Sequence, residues 1–160
     1  MVPASAVHMV IVVLAYLALL GIGGWLIVID GRTHRLPNRI VLPTLGGALV
    51  LVIIDALVMG EVWPLTRAVG GMLVLCGFYI VMRFVSRGGI GGGDVKLAAV
   101  IGLVLGWHGW QALAVGAASA FVLGALYALA LMALRRANGA TRIAFGPWMI
   151  IGAILGVVVA

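Results

Sequence analysis

The chain has 160 residues, 65% of them hydrophobic and 9% charged, with ten Lys+Arg against four Asp+Glu. An ordinary soluble domain is about 45–50% apolar and about 25% charged, so these proportions exclude a soluble globular enzyme, a disordered tail and a nucleic-acid-binding module. What remains is an all-α polytopic membrane helix bundle read as one domain over residues 1–160, since the alternating segments of a transmembrane β-barrel do not appear.

A hydrocarbon core of about 30 Å takes about 20 apolar residues per helix, and the chain order offers about six such runs. The first covers 7–29, has no Lys or Arg before it, and reads as a permanent helix rather than a signal peptide. The loop DGRTHRLPN (30–38) follows, then a second run over 39–59 with Pro43 in its first turn. A short turn holding Glu61, Trp63, Pro64 and Arg67 leads to a third run over 68–85. The glycine-rich SRGGIGGGD (86–94) comes next, followed by a short fourth run over 95–107. A tight turn at Trp107–Trp110 opens the fifth run, 111–134. The loop RRANGATR (135–142) precedes the last, 143–159.

Net charge is +6, and nine of the ten basic residues fall in the loops after runs one, three and five: Arg32, Arg35, Arg39, Arg83, Arg87, Lys96, Arg135, Arg136 and Arg142. Lys and Arg collect in cytoplasmic loops. Those three loops are therefore expected on the cytoplasmic face of a multi-pass membrane protein, with both termini outside. Trp63, Trp107 and Trp110 mark the other interface. Glycine occurs 24 times, and the small-xxx-small spacings Gly102/Gly106, Gly116/Ala120/Gly124 and Gly152/Gly156 predict close helix packing. The single cysteine, Cys76, supports neither an intrachain disulfide nor a cysteine metal cluster. His8, His34 and His108 lie on different segments and predict no metal site; no cofactor and no nucleic-acid partner are expected.

The four carboxylates are Asp30, Asp55, Asp94 and Glu61. Acids at membrane segments are costly and mark function. Asp30 closes the first run and Asp94 opens the fourth, both at the cytoplasmic boundary, so they meet if those two helices pack together. Two carboxylates sharing one proton are the machinery of aspartic proteolysis: the ionised one takes a proton from water while the protonated one polarises the scissile carbonyl. Asp94 opens a helix, where the dipole favours an anion, whereas Asp30 closes one. On that ground Asp30 is expected to hold the shared proton more often, with Arg32 and Arg35 acting against it. Gly91, Gly92 and Gly93 are expected to let an extended substrate strand pass close to the backbone beside Asp94. Lys96 either acts on Asp94 and the substrate or snorkels. Pro37 and Asn38 are expected to stop the loop and cap the second helix. Asp55 reads as a boundary acid on the wrong side to join the pair, and Glu61 as a loop acid.

GGGDVK (Gly91–Lys96) resembles the GxGD-x-K signature of type IV prepilin peptidases. DGRTHRLPN is similar to that family's first motif, an aspartate followed seven and eight residues later by Pro-Asn, and AFGPW (Ala144–Trp148) resembles its late FGP element with Gly146 and Pro147. The resemblance implies that Asp30 and Asp94 are the catalytic pair of a GxGD-type aspartic peptidase. Gly91, Gly92, Gly93, Lys96, Pro37, Asn38, Gly146 and Pro147 would support the motif or the substrate. The implied partner is a prepilin or pseudopilin, cut between a basic leader and a hydrophobic helix at the cytoplasmic face of the lipid bilayer. The larger members of that family carry CxxC pairs and add N-methylation. With Cys76 alone, this sequence resembles the short, cleavage-only form of tight-adherence (Flp) pilus systems, a single transmembrane peptidase domain with no methyltransferase or zinc segment. Two readings from other classes compete: a small transporter using the acids as an ion site, which favours acids near the bilayer midplane, and a non-catalytic assembly subunit, which does not need both acids.

Overall fold

The computed structural model describes residues 4–86, 89–136 and 143–159; Arg87, Gly88 and Arg142, which entered the charge and glycine arguments, lie outside the described residues. Six helices follow in order: α1 (Ala4–Thr33), α2 (Asn38–Met59), α3 (Trp63–Val85), α4 (Gly92–His108), α5 (Trp110–Ala133) and α6 (Gly146–Val159), with no strand among the described residues. This is the polytopic helical bundle of a multi-pass membrane protein. Large apolar side chains such as Leu17, Leu57, Phe84 and Leu129 stand exposed around it, a surface suited to lipid rather than water.

The expected runs divide into two kinds. α1, α2, α3 and α5 are long and apolar enough to cross a membrane. α4 has 17 residues and α6 has 14, which at 1.5 Å per residue gives about 25 and about 21 Å, short of the roughly 30 Å core. The shortness of α4 follows from its place. It packs against α2, α3, α5 and α6 and buries residues on every side, including Leu97, Ala98, Val100, Leu103 and Leu105. A helix sheathed in protein has no lipid thickness to match.

The small-residue spacings fall on two seams. A Cβ on Gly71 of α3 would lie 2.5 Å from the carbonyl oxygen of Gly102 on α4, and one on Gly152 of α6 would lie 2.6 Å from that of Gly116 on α5. In both places backbones touch, as small residues permit in lipid. Arg67 reinforces the first seam by donating to the carbonyl oxygens of Gly106 (3.2 Å) and Trp107 (2.6 Å), which the end of α4 would otherwise leave unpaired.

At 30 residues α1 is about 45 Å long, so its polar last turn, Asp30 to Thr33, projects past an apolar stretch ending at Ile29. His34 stops the helix in the left-handed conformation (φ 51°), its N–H donating to the Asp30 carbonyl at 2.8 Å. The chain then dives inward at Leu36, which is buried, and α2 starts after an extended Pro37. Asn38 is the first residue of α2 and makes no capping bond with its side chain, so the capping role expected of it is not the one it has.

Candidate active site

Asp30 and Asp94 come to the same end of the bundle by different routes. Asp30 is 4% exposed, in the last turn of α1, and its Oδ2 accepts the Gly146 N–H at 3.0 Å. Asp94 is half-buried in the first turn of α4, and its Oδ2 accepts the Gly91 N–H at 3.2 Å. That bond uses the acid to satisfy the opening amides of its own helix. Helices α1 and α4, whose packing was the expected condition for a pair, touch through side chains at the far end, where Tyr16 meets His108, rather than backbone to backbone; α1 lies mainly on α2 and α6, and both of these lie on α4. The acids are joined through Leu36. A Cβ on Gly93, the residue before Asp94, would fall 2.7 Å from the Leu36 Cβ, and one on Gly146 would fall 3.5 Å from the Leu36 Cδ1.

The two charges act on one another. Asp94, ahead of the apolar run of α4, has its carboxyl pushed up to about 6, first by burial and then by the negative charge of Asp30. The Gly91 N–H and the Arg83 guanidinium pull the other way without cancelling this. Burial also raises the Asp30 carboxyl, with the Gly146 N–H and the nearby His34 opposing it in part. A carboxyl raised to about 6 beside a second carboxyl holds its proton into the mildly acidic range and exchanges it readily near neutrality, and the singly protonated pair is the state that can donate to a carbonyl and accept from water at once.

The supporting residues take more definite roles than their sequence suggested. Lys96 donates from Nζ to the Asn38 Oδ1 at 2.7 Å, tying the first turn of α4 to the first turn of α2 and thus the two aspartate motifs to each other. Gly92 and Gly93 lie inside the first turn of α4 rather than in an open loop. Of the three, Gly91 alone stays outside the helix, with extended backbone (φ −65°, ψ 144°). Gly93 instead makes room for Leu36, and a Cβ on Gly92 would sit 3.6 Å from the Arg83 Nη1. Gly146 and Pro147 open α6 against Asp30.

Three residues were missed. Leu36, within DGRTHRLPN, packs between Gly93 and Gly146 and so links the segments that carry the two acids. Arg83 faces Asp94 and also pins the glycine segment by donating to the Ile90 carbonyl at 2.6 Å. Tyr79, 1% exposed, stands within reach of the Asp94 charge and packs with Phe145 (ring centroids 6.2 Å) and Phe121 (5.8 Å). Arg83 was legible as a base close in sequence to the glycine run; the other two carry only hydrophobic signals. At the far end of the bundle, Asp55 is buried and accepts from the His8 Nδ1 at 2.5 Å, and Tyr16 bonds to the His108 ring. Asp55 thus stays apart from the pair, as expected, while His8 and His108, read as unrelated, both come to Trp107. Both paired acids stand at helix ends rather than mid-bundle, so the geometry does not favour the transport reading.

Residues 16–129 match the type IV leader peptidase family, a stretch holding both acids, Leu36, Tyr79, Arg83 and Lys96. The chain belongs to that family. It is 36% identical over 131 residues to a prepilin leader peptidase/N-methyltransferase of Dickeya chrysanthemi, covering 81% of this chain and 45% of that protein. It is 36% identical over 135 residues to the one of Escherichia coli (strain K12), covering 80% and 55%, and 33% identical over 125 residues to that of Aeromonas salmonicida (strain A449), covering 77% and 41%. The chain spans about half the length of the curated relatives it matches. No solved structure matches it. The family match ends before Gly146, so the contact of α6 with Asp30 comes from the fold rather than from the matched segment.

Proposed function

We propose that the chain is a membrane aspartic endopeptidase that removes the leader peptide of type IV prepilins or pseudopilins, with Asp30 and Asp94 activating the attacking water and no cofactor. The observation that carries this is that Asp30 and Asp94 come to one end of the bundle, close enough for the charge of Asp30 to raise the Asp94 carboxyl. Residues 1–160 act as one peptidase unit. The site faces the cytoplasm from the bacterial inner membrane, an orientation supported by the basic residues Arg32, Arg35, Arg39, Arg83 and Lys96 gathered at its end. The same bases disfavour close approach of a basic leader except at the acids themselves, so the leader lies over Asp30 and Asp94 while the substrate's apolar helix stays in the bilayer. Methylation of the product is not assigned to these residues.

The test is cleavage of a prepilin carrying its leader in membranes holding the wild type, Asp30→Asn or Asp94→Asn. General acid–base groups of this kind contribute about 10²–10⁴-fold, so each variant is expected to lose at least about 100-fold in rate. Full cleavage by either variant rejects the proposal.

A further inference from the structure

The dipole of α1 alone puts Asp30 where an anion is disfavoured, but a second helix begins against it. Gly146 is the first residue of α6, and its N–H points at Asp30 Oδ2 across 3.0 Å in a buried position. The composition of that first turn singles this amide out. Pro147 has no N–H to offer. The N–H groups of Trp148 and Met149 both return to the Phe145 carbonyl, at 3.1 Å each. Gly146 is thus the opening amide free for a carboxylate, at the end of a helix where an anion is favoured. Space demands glycine as well: a Cβ there would fall 2.6 Å from Asp30 Oδ2 and 3.2 Å from its Cγ. Phe145 holds the turn in place, wedged against Gly124 of α5 and packed at a tilt against Phe121 (ring centroids 5.2 Å) and Tyr79. Asp94 has no such partner from another element among the described residues. Its carboxylate accepts from Gly91, in its own turn and at an exposed position.

We propose that Phe145-Gly146-Pro147 is a positioning element that settles the proton on Asp94: the Gly146 amide holds Asp30 ionised, as the base, and Asp94 keeps the proton, as the acid. This rests on the peptidase reading above and reverses the assignment drawn from α1 alone. In the first step Asp30 takes a proton from water as the water oxygen bonds to the scissile carbon, and Asp94 gives its proton to the carbonyl oxygen, forming a neutral gem-diol. In the second, Asp30 passes its proton to the leaving nitrogen as the C–N bond breaks, and Asp94 recovers one from a diol hydroxyl. Each acid ends as it began. The groups facing the pair are His34 beside Asp30, and Arg83 and Tyr79 of α3 beside Asp94.

Gly146→Ala tests this through the pH profile of prepilin cleavage. The acid limb reports the base. Loss of one charge-assisted hydrogen bond moves that limb to higher pH by about 1–2 units, with the alkaline limb in place. A role in folding alone lowers the rate at every pH and moves neither limb; that result overturns the proposal. A direct measurement covers the case in which Gly146→Ala does not fold. Infrared spectra near pH 5 are to show a protonated carboxyl band that persists in Asp30→Asn and disappears in Asp94→Asn. The opposite pattern also overturns the assignment. Cleavage by either Asn variant would instead reject the dyad itself, so the two failures are distinguishable.

Discussion

Replacing Asp94 by Asn should make the protein more stable while abolishing its activity, and the gain should depend on pH in a defined sense. The Asp94 carboxyl is pushed from its ordinary 3.8 up to about 6. A folded-state value above the unfolded one means that the native state binds the proton more tightly. Its stabilising effect is complete below about pH 4, where both states are protonated, and is lost as pH rises through about 6. Above that point the folded chain must hold a carboxylate that is half-buried and faces Asp30, while the unfolded chain ionises freely. The shift of about two units corresponds to about 3 kcal/mol at most. Asn keeps the shape and omits the charge. Near pH 8 the Asn variant should therefore exceed the wild type by up to about 3 kcal/mol, or roughly 6–12 °C in melting temperature for a chain of this size. Near pH 4 the two should coincide. Thermal unfolding in detergent micelles between pH 4 and 8 measures this directly. A difference that does not vary with pH, or an Asn variant less stable than the wild type at pH 8, would refute the argument that burial and Asp30 disfavour the Asp94 charge.

Other substitutions probe the scaffold of the site. Leu36→Ala opens a cavity between Gly93 and Gly146; it should lower stability by about 2–3 kcal/mol and slow cleavage at least 10-fold, while Leu36→Ile keeps most of both, as initial rates at matched folded fraction would show. Lys96→Ala and Asn38→Ala each remove the 2.7 Å bond between α4 and α2, and a double-mutant cycle on unfolding should give a coupling of about 0.5–1 kcal/mol for so exposed a pair, with zero coupling refuting the strut. Gly71→Ala places a methyl group 2.5 Å from the Gly102 oxygen and should cost about 1–3 kcal/mol, whereas Gly77→Ala on the same helix meets nothing within 4 Å and should leave the melting temperature unchanged or raised.

The membrane class, the order of six helices and the two acids were legible because each leaves a local mark: apolar runs, loop charges, and a carboxylate at each of two helix ends. The close seams were legible for the same reason, since Gly102/Gly106 and Gly152/Gly156 repeat at a helical period. The contacts that complete the site leave no such mark. Leu36 is an aliphatic residue among many, and its seat between Gly93 and Gly146 depends on where His34 turns the chain. The Lys96–Asn38 bond joins residues 58 apart. The proposed reversal of the proton assignment turns on a similar contact. The dipole of α1 can be read from its sequence, but the start of α6, 116 residues after Asp30, is brought there only by folding.

The helix carrying Asp30 is also the one the bundle holds least closely. α3 with α4, and α5 with α6, are joined where backbones touch, so Asp94 and Gly146 ride on tight pairs. α1 packs on α2 and α6 and leaves apolar clefts of about 420 Å³ and about 100 Å³ along its inner side, bordered by residues such as Leu19, Ile22, Thr44 and Val104. Its position is therefore set largely at its ends. At the far end His8 pairs with Asp55 and Tyr16 with His108, polar ties that in a membrane contribute about 0.6–2 kcal/mol each. At the near end the tie is Gly146 to Asp30, with Leu36 buried beneath it. The bond proposed to hold Asp30 as an anion thus also anchors the last turn of α1 against α6. A change at Gly146 that also displaced Asp30 would move the alkaline limb, because the Asp94 carboxyl feels the charge of Asp30; a shift of the acid limb alone therefore reports the lost bond.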